Sequence, residues 1–166
     1  MPLHSTDRGT FREALSRWAS GVSVVTTRHD GERWGFTATS FAGLSMDPPL
    51  VLVCLDLMAR SRAAFDASAG FAVHVLESGQ EPVARRFAAK QVDKFRGLPT
   101  RTGLFGVPLL EGALARLECR TADRVVAGDH VILVGEVLRV RLDAGEPLIF
   151  HDRAFHGLRR REVAAA

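Results

Sequence analysis

Apolar residues at Phe11, Leu15 and Trp18 recur at helical spacing behind Thr10-Phe-Arg-Glu13, which has the form of a capping box, until Ser20-Gly21 closes the run. This predicts a short opening helix. The pattern then changes to the strand type: "VSVVTTR" and "RWGFTATS" flank His29-Asp30-Gly31-Glu32, whose Asp-Gly supplies the positive dihedrals of a hairpin. "LVLVCL" and "FAVHVL" predict two further strands, with "MARSRAAFDASAG" between them as a helix ended by Gly70. Ser78-Gly-Gln-Glu81 reads as a second capping box, with Pro82 in the first turn of a helix "PVARRFAAK". After the punctuated stretch "GLPTRTGLFGVPLLEG", three long β-type runs follow, "ALARLECRTADRVVAG", "DHVILVGEVLRVRLD" and "EPLIFHDRAFHGL". Their "AGD" and "DAGE" breaks predict successive antiparallel strands. A mainly β fold with peripheral helices results, best satisfied by an antiparallel barrel whose closure removes exposed strand edges.

Composition narrows the picture. At 166 residues the chain suits one domain, read as residues 1–166 with a core of about 11–158 and short flexible tails, "LRRREVAAA" being a frayed end. Cys54 and Cys119 sit in apolar runs with no CxxC or histidine partner, which predicts buried free thiols and a cytoplasmic protein. No apolar stretch reaches the length of a membrane span and the N-terminus lacks a signal-type core, so no membrane association is expected. The formal charge is +3, carried almost entirely by arginine, since Lys90 and Lys94 are the only lysines. The densest basic stretch, Arg85 to Arg101, interleaves Phe87 and Phe95 and suits either an anionic ligand or a solvated helix face.

Several chemistries are excluded by missing motifs. There is no GxGxxG after a strand, no P-loop and no GxSxG elbow, and the six histidines form no HExxH or Cys/His metal set, so no metal is expected.

One ordered set is present. "FREALSRWASGVSVVTT", "GFTATSFAGLSMDPPLVLVCLD", "FAVHVL", "DKF", "AGDHVILVGEV" and "PLIFHDRAFHGL" together resemble the flavin reductase component of two-component flavin-dependent monooxygenases, a family of FMN-binding split barrels, over roughly Phe11 to Leu158. The resemblance implies a six-stranded antiparallel Greek-key split β-barrel, a homodimer, and an NAD(P)H:flavin oxidoreductase. Such an enzyme passes a hydride from NADH or NADPH to FMN or FAD and supplies reduced flavin to a partner monooxygenase. By the same resemblance Gly35, Phe36, Thr37, Ala38, Thr39 and Ser40 lie along the flavin ring and ribityl chain, with Cys54, Leu55 and Asp56 beside them. Arg60 and Ser61 match phosphate positions, and Arg86 and Phe87 match positions at the phosphates or the adenosine half of FAD. His130, His151, Asp152, Arg153 and Phe155 match the nicotinamide side. The chain departs from the family at Phe155, often a tyrosine there; it has no tyrosine at all, which leaves stacking without a hydroxyl.

The chemistry suits these residue types, because a flavin reductase needs orientation and polar satisfaction, not a nucleophile or general base. No residue is therefore assigned as catalytic, and His130 is a candidate only for positioning the nicotinamide. The alternative is a barrel of the same kind that binds FMN tightly as a sensor or carrier without turnover. A nucleic-acid binder using Arg85 to Arg101 ranks far behind, since Phe87 and Phe95 fall on or beside a helix and not on strand platforms.

Overall fold

The computed structural model describes residues 7–158; the tails expected at the two ends fall mostly on residues outside them. In chain order the elements are α1 (Arg8–Ser16), β1 (Ser20–Gly21), β2 (Ser23–His29), β3 (Glu32–Ala38), β4 (Ala42–Met46), β5 (Pro49–Asp56), α2 (Arg62–Ala67), β6 (Gly70–Val75), α3 (Glu81–Ala88), β7 (Thr100–Thr102), β8 (Pro108–Leu110), β9 (Ala115–Ala127), β10 (His130–Leu142), β11 (Ile149–His151) and β12 (Ala154–His156).

One seven-stranded antiparallel sheet carries the fold, in the order β3-β2-β6-β9-β10-β5-β4. Its two end strands are successive parts of one segment, separated only by Thr39, Ser40 and Phe41. The first part pairs with β2 from Ser23↔Ala38 to His29↔Glu32, and the second pairs with β5 from Ala42↔Leu52 to Met46↔Pro49. The chain thus joins the two ends of a curled sheet by bending, and β3 and β4 together act as the sixth barrel strand. The curl buries Val25, Phe36, Val51, Val53, Leu55, Phe71, Val73, Val131 and Leu133 inside. A second cluster, Val22, Val24, Leu76, Ala84, Phe87, Phe95, Leu110 and Leu148, lies on the outer face under α3. Adjacent valines of β2 therefore serve opposite clusters, as alternation along a strand requires.

Local expectations hold where turn chemistry was explicit. The β2–β3 hairpin turns on Asp30 and Gly31, with φ of 49° and 79°, and β9 and β10 meet at Gly128-Asp129. Three boundaries differ. Asp7, not Thr10, caps α1: its Oδ1 accepts the Gly9 and Thr10 amides at 2.8 and 3.1 Å, while Glu13 pairs with Arg17. Glu77 and Gln80 form the second capping box one residue early, across a single 3-10 turn ahead of α3. α2 ends at Ala67 with Ser68 as its C-cap, and Gly70 instead opens β6, where the Phe105 ring and the Cys119 carbonyl leave no room for a Cβ.

The last β-type run also departs from expectation. It does not add to β10; β11 and β12 form a separate three-stranded sheet with β1. Main-chain bonds explain this, since Val22 N donates to Leu148 O, Leu148 N to Leu76 O, and Leu76 N to Val22 O, which anchors the segment beside β1. The stretch read as punctuation holds the β7–β8 hairpin, whose Leu109 and Leu110 are buried.

His74 on β6 is fully buried. Its Nδ1 lies 3.0 Å from Val24 O and its Nε2 accepts the Leu110 amide at 3.0 Å, which requires the neutral ring with the proton on Nδ1. Burial, aided by the nearby Arg116 cation and against the Val24 bond, lowers its pKa to about 4. The unfolded chain takes up this proton below its ordinary value near 6.5 while the native state refuses it until about 4. The resulting stabilisation, roughly 3 kcal/mol, is therefore complete above the unfolded value and lost as pH falls towards the folded one. Urea unfolding across that window should show the slope in the native sequence and a slope smaller by about one proton in His74→Gln.

Candidate functional site

Where the bent strand leaves β3 for β4, the barrel wall opens. From Glu32 to Thr37 β3 has a partner only on its β2 side, and β5 beyond Val53 has one only on its β10 side. Ser40 marks the point of divergence: its Oγ accepts the Cys54 amide at 2.9 Å, standing in for the strand that is no longer there. Below that point lies a cavity of about 570 Å³, within the range of roughly 300–1,000 Å³ usual for cofactor-sized ligands.

Four elements line it. The open edge of β3 contributes Trp34, Gly35, Phe36 and Thr37, and the end of β5 contributes Cys54, Leu55 and Asp56. The turn before α2 adds Arg60 and Ser61, and the segment after α3 adds Phe87 to Phe95, with His130 at the start of β10 completing the rim. Gly35 permits this arrangement: a Cβ there would stand 2.7 and 2.9 Å from ring atoms of Phe87 and 3.0 Å from Val25 O, so α3 could not approach β3. Thr37 fixes the same contact by donating its hydroxyl to Ala84 O at 2.6 Å.

The charges converge on one wall. Lys94 is half-buried and donates to Gly35 O at 3.0 Å and to Phe87 O at 2.7 Å, satisfying an edge carbonyl of β3 with a side chain. Burial, and then the neighbouring Arg60, hold its pKa below the usual lysine value. An ammonium in that state has a third N–H and a strong preference for an anion. Arg60 makes no ion pair among the described residues, and Ser61, only 5% exposed, has no capping bond for its side chain. At the rim His130 Nδ1 meets Asp129 Oδ1 at 2.7 Å, and that bond holds the Asp129 carboxyl below the usual carboxylate range. Its Nε2 faces outward from the bond, with the ring orientation set by the carboxylate.

A cavity with an apolar floor of Phe36, Leu55 and Phe87, unpaired main-chain groups along one edge and cations at one end suits a planar, polar-edged ligand with a phosphate. Comparison with known proteins agrees: the model of the flavin reductase like domain matches residues 15–159. The chain belongs to the flavin reductase-like family. It is 44% identical over 157 residues to the actinorhodin polyketide dimerase of Streptomyces coelicolor, covering 93% of this chain and 88% of that one. It is 38% identical over 163 residues to the flavin-dependent monooxygenase reductase subunit HsaB of Mycobacterium tuberculosis, covering 96% and 87%. Among solved structures, the NADH:FAD oxidoreductase SgcE6 of Streptomyces globisporus, in complex with NAD and FAD fragments, matches with a TM-score of 0.87 and 38% identity, covering 100% of this chain and 99% of that one. Other solved structures that match, at TM-scores of 0.85 and 0.86, are the flavin reductases PheA2 and BorF, in keeping with the split barrel formed by the curled sheet.

Of the positions carried over from the family resemblance, Gly35, Phe36, Thr37, Cys54, Leu55, Asp56, Arg60, Ser61, Phe87 and His130 line this one cavity. Others do not. Ala38 turns into the inner core, Thr39 is exposed beyond the divergence, and Ser40 is occupied by Cys54. Arg86 donates to Arg96 O at 2.8 Å and so braces the segment that follows α3. His151, Asp152, Arg153 and Phe155 sit on the β11–β12 hairpin, outside this cavity; Phe155 packs against Phe150 and under the Arg85 guanidinium. Sequence reasoning missed Trp34, Lys94 as a cavity cation, and the wall from Ala88 to Asp93. The signal for Lys94 was present in "DKF", but its contact with Gly35 spans 59 positions of sequence. Gly35→Ala should force Phe87 and α3 away from β3 and destabilise the fold by about 1–3 kcal/mol, read from urea unfolding against the native chain.

Proposed function

We propose that this protein is an NAD(P)H:flavin oxidoreductase that moves a hydride from NADH, or NADPH, to FMN or FAD and supplies diffusible reduced flavin to a partner monooxygenase. The observation that carries this reading is the cavity at the barrel's split, in a chain whose relatives include an NADH:FAD oxidoreductase and a monooxygenase reductase subunit. A bound flavin would supply the two-electron acceptor chemistry.

The chain's own residues would do the rest. Leu55, Phe36 and Phe87 would exclude water from one side of the ring system, and the main-chain groups of β3 that face away from β2 would satisfy its polar edge, which is costly to bury unpaired. Arg60, the Ser61 hydroxyl and Lys94 would hold the phosphate, with the guanidinium fork giving it direction. Thr37 spends its proton on Ala84 and would serve only as an acceptor. His130, braced by Asp129, would orient the nicotinamide at the rim. Orientation of that kind supplies about 7–11 kcal/mol of a barrier in favourable cases. Cys54 needs no redox role, since the hydride would pass directly between nicotinamide and flavin and its strand serves as part of the wall.

We also read the chain as a single domain working as a homodimer in the cytoplasm. No residue of α1 is buried, yet it presents Phe11 and Leu15, with Trp18 just beyond at 78% exposure, while Met46 on β4 is 93% exposed. Apolar surface of this kind is normally covered by a partner. No described helix is long and apolar enough to cross a membrane, and both cysteines are free thiols.

Two measurements test these readings. Purified protein mixed with NADH should consume it only when FMN or FAD is added, followed at the nicotinamide absorbance band; no flavin-dependent loss with either nicotinamide would sink the reductase reading. Stoichiometric yellow FMN with negligible turnover would favour the tight-binding carrier instead. Sedimentation equilibrium should return twice the chain mass, and Trp18→Glu should shift it towards the monomer.

A further inference from the structure

At the end of β10 farthest from His130 lies a second cavity of about 320 Å³, lined by Arg101, Glu111, Gly112, Arg116, Arg141, Asp143 and Ala144. Arg116 on β9 and Arg141 on β10 are direct cross-strand partners in the ladder. Side chains so placed share one face with their Cβ atoms close together, and like charges there repel. Arg116 is also only 7% exposed, and the one hydrogen bond of its side chain among the described residues is a long 3.5 Å contact to Leu110 O. No carboxylate lies within ion-pair distance of it among the described residues. A guanidinium taken from water without an anion is costly, and a second one directly opposite adds to that cost. On the other side of Arg116 the β6 ladder offers only His74, which is neutral and already bonded at both nitrogens.

The remaining charges are arranged around this pair without neutralising it. Arg101 meets Glu111 through Nε at 2.8 Å, which leaves its terminal nitrogens without a hydrogen bond among the described residues. Arg141 makes only long contacts to Asp143, 3.4 and 3.5 Å. Glu111 is held below the usual carboxylate range by Arg101 first, then also by Arg116 and Arg141, so all three cations act near one point. Three guanidiniums face two carboxylates, and the carboxylates engage the two exposed arginines rather than the buried one.

We propose that this cavity is an oxyanion site, separate from the split of the barrel, that takes inorganic phosphate or a comparable tetrahedral dianion, with Arg116 as its buried anchor and Arg101 and Arg141 closing on it from the surface. A tetrahedral anion offers acceptors in several directions at once, as three guanidiniums approaching from β7, β9 and β10 require. The site needs neither flavin nor nicotinamide.

Thermal unfolding in millimolar inorganic phosphate, against sodium chloride at equal ionic strength, tests it. Phosphate should raise the midpoint by roughly 2–4 °C. In the Arg60→Ala background, which removes the guanidinium of the first cavity, the rise should persist, and it should vanish there when Arg101→Ala/Arg141→Ala, whose replaced side chains are exposed, is added. An equal midpoint in chloride, or a rise that survives the double substitution in that background, overturns the site. A rise lost in Arg60→Ala and kept in the double variant places the anion at the split and overturns it too. Succinate stabilising as well as phosphate overturns the choice of a tetrahedral anion.

Discussion

A strand edge must find partners for its amides and carbonyls, and the way this barrel meets that constraint at one place determines the rest. The segment from Glu32 to Met46 serves both ends of the sheet, but a bent strand cannot lie against β2 and β5 along its whole length. It divides its pairing at Ser40, where one hydroxyl holds the Cys54 amide and ends the seam. Everything below that hydroxyl is an opening with hydrogen-bonding groups along its sides. The cavity is thus a direct consequence of closing a six-strand circuit with a bend, and not a separate feature added to a finished barrel.

The hydroxyl groups that crowd this part of the chain follow the same logic. Ser23, Thr26, Thr27 and Thr37 donate to Ala38 O, Pro108 O, Gly70 O and Ala84 O. Thr26 and Thr37 tie the sheet to β8 and α3, and Ser23 and Thr27 tie β2 to the neighbouring strands β3 and β6, which valine could not do. The hydroxyls of Thr37 and Ser40, at two of the positions that the resemblance sets along the flavin, take part in this bracing. In the proposed site the ligand-facing polarity would come chiefly from the main chain of β3 and from Arg60, Ser61 and Lys94, which line the cavity. A main-chain edge is also the more rigid donor set, because its geometry is fixed by the β2 ladder and costs no side-chain entropy to order.

Much of this was legible before any coordinates. Alternation and the Asp-Gly and Ala-Gly-Asp turns located the long strands, because period and turn chemistry are local properties. The short elements were not legible. β4 differs from a loop only through its pairing with β5, and the β7–β8 hairpin hides in a stretch whose Gly and Pro content suggests punctuation. The destination of β11 was fixed by Leu148 bonding to Val22 and Leu76, contacts that no spacing in the segment itself announces. Ten of the positions suggested by family resemblance converge on one cavity, whereas the hairpin at His151 to Phe155 lies elsewhere in the chain's fold. Resemblance preserves order along the chain, but convergence in space is decided by the sheet.

Lys94 shows why the opening persists. An unpaired edge carbonyl at Gly35 could be satisfied by another strand, and that would fill the split. An ammonium reaches the same oxygen from a loop, touches the edge at one point, and leaves the neighbouring groups of β3 open. The arrangement has a cost, visible in a lysine whose charge is disfavoured by burial and by Arg60 beside it. An anionic ligand would offset that cost, so the same residue that keeps the site empty of protein would, in the proposed function, favour a phosphate there. Stability given up at the edge and affinity gained in the cavity are then two sides of a single placement.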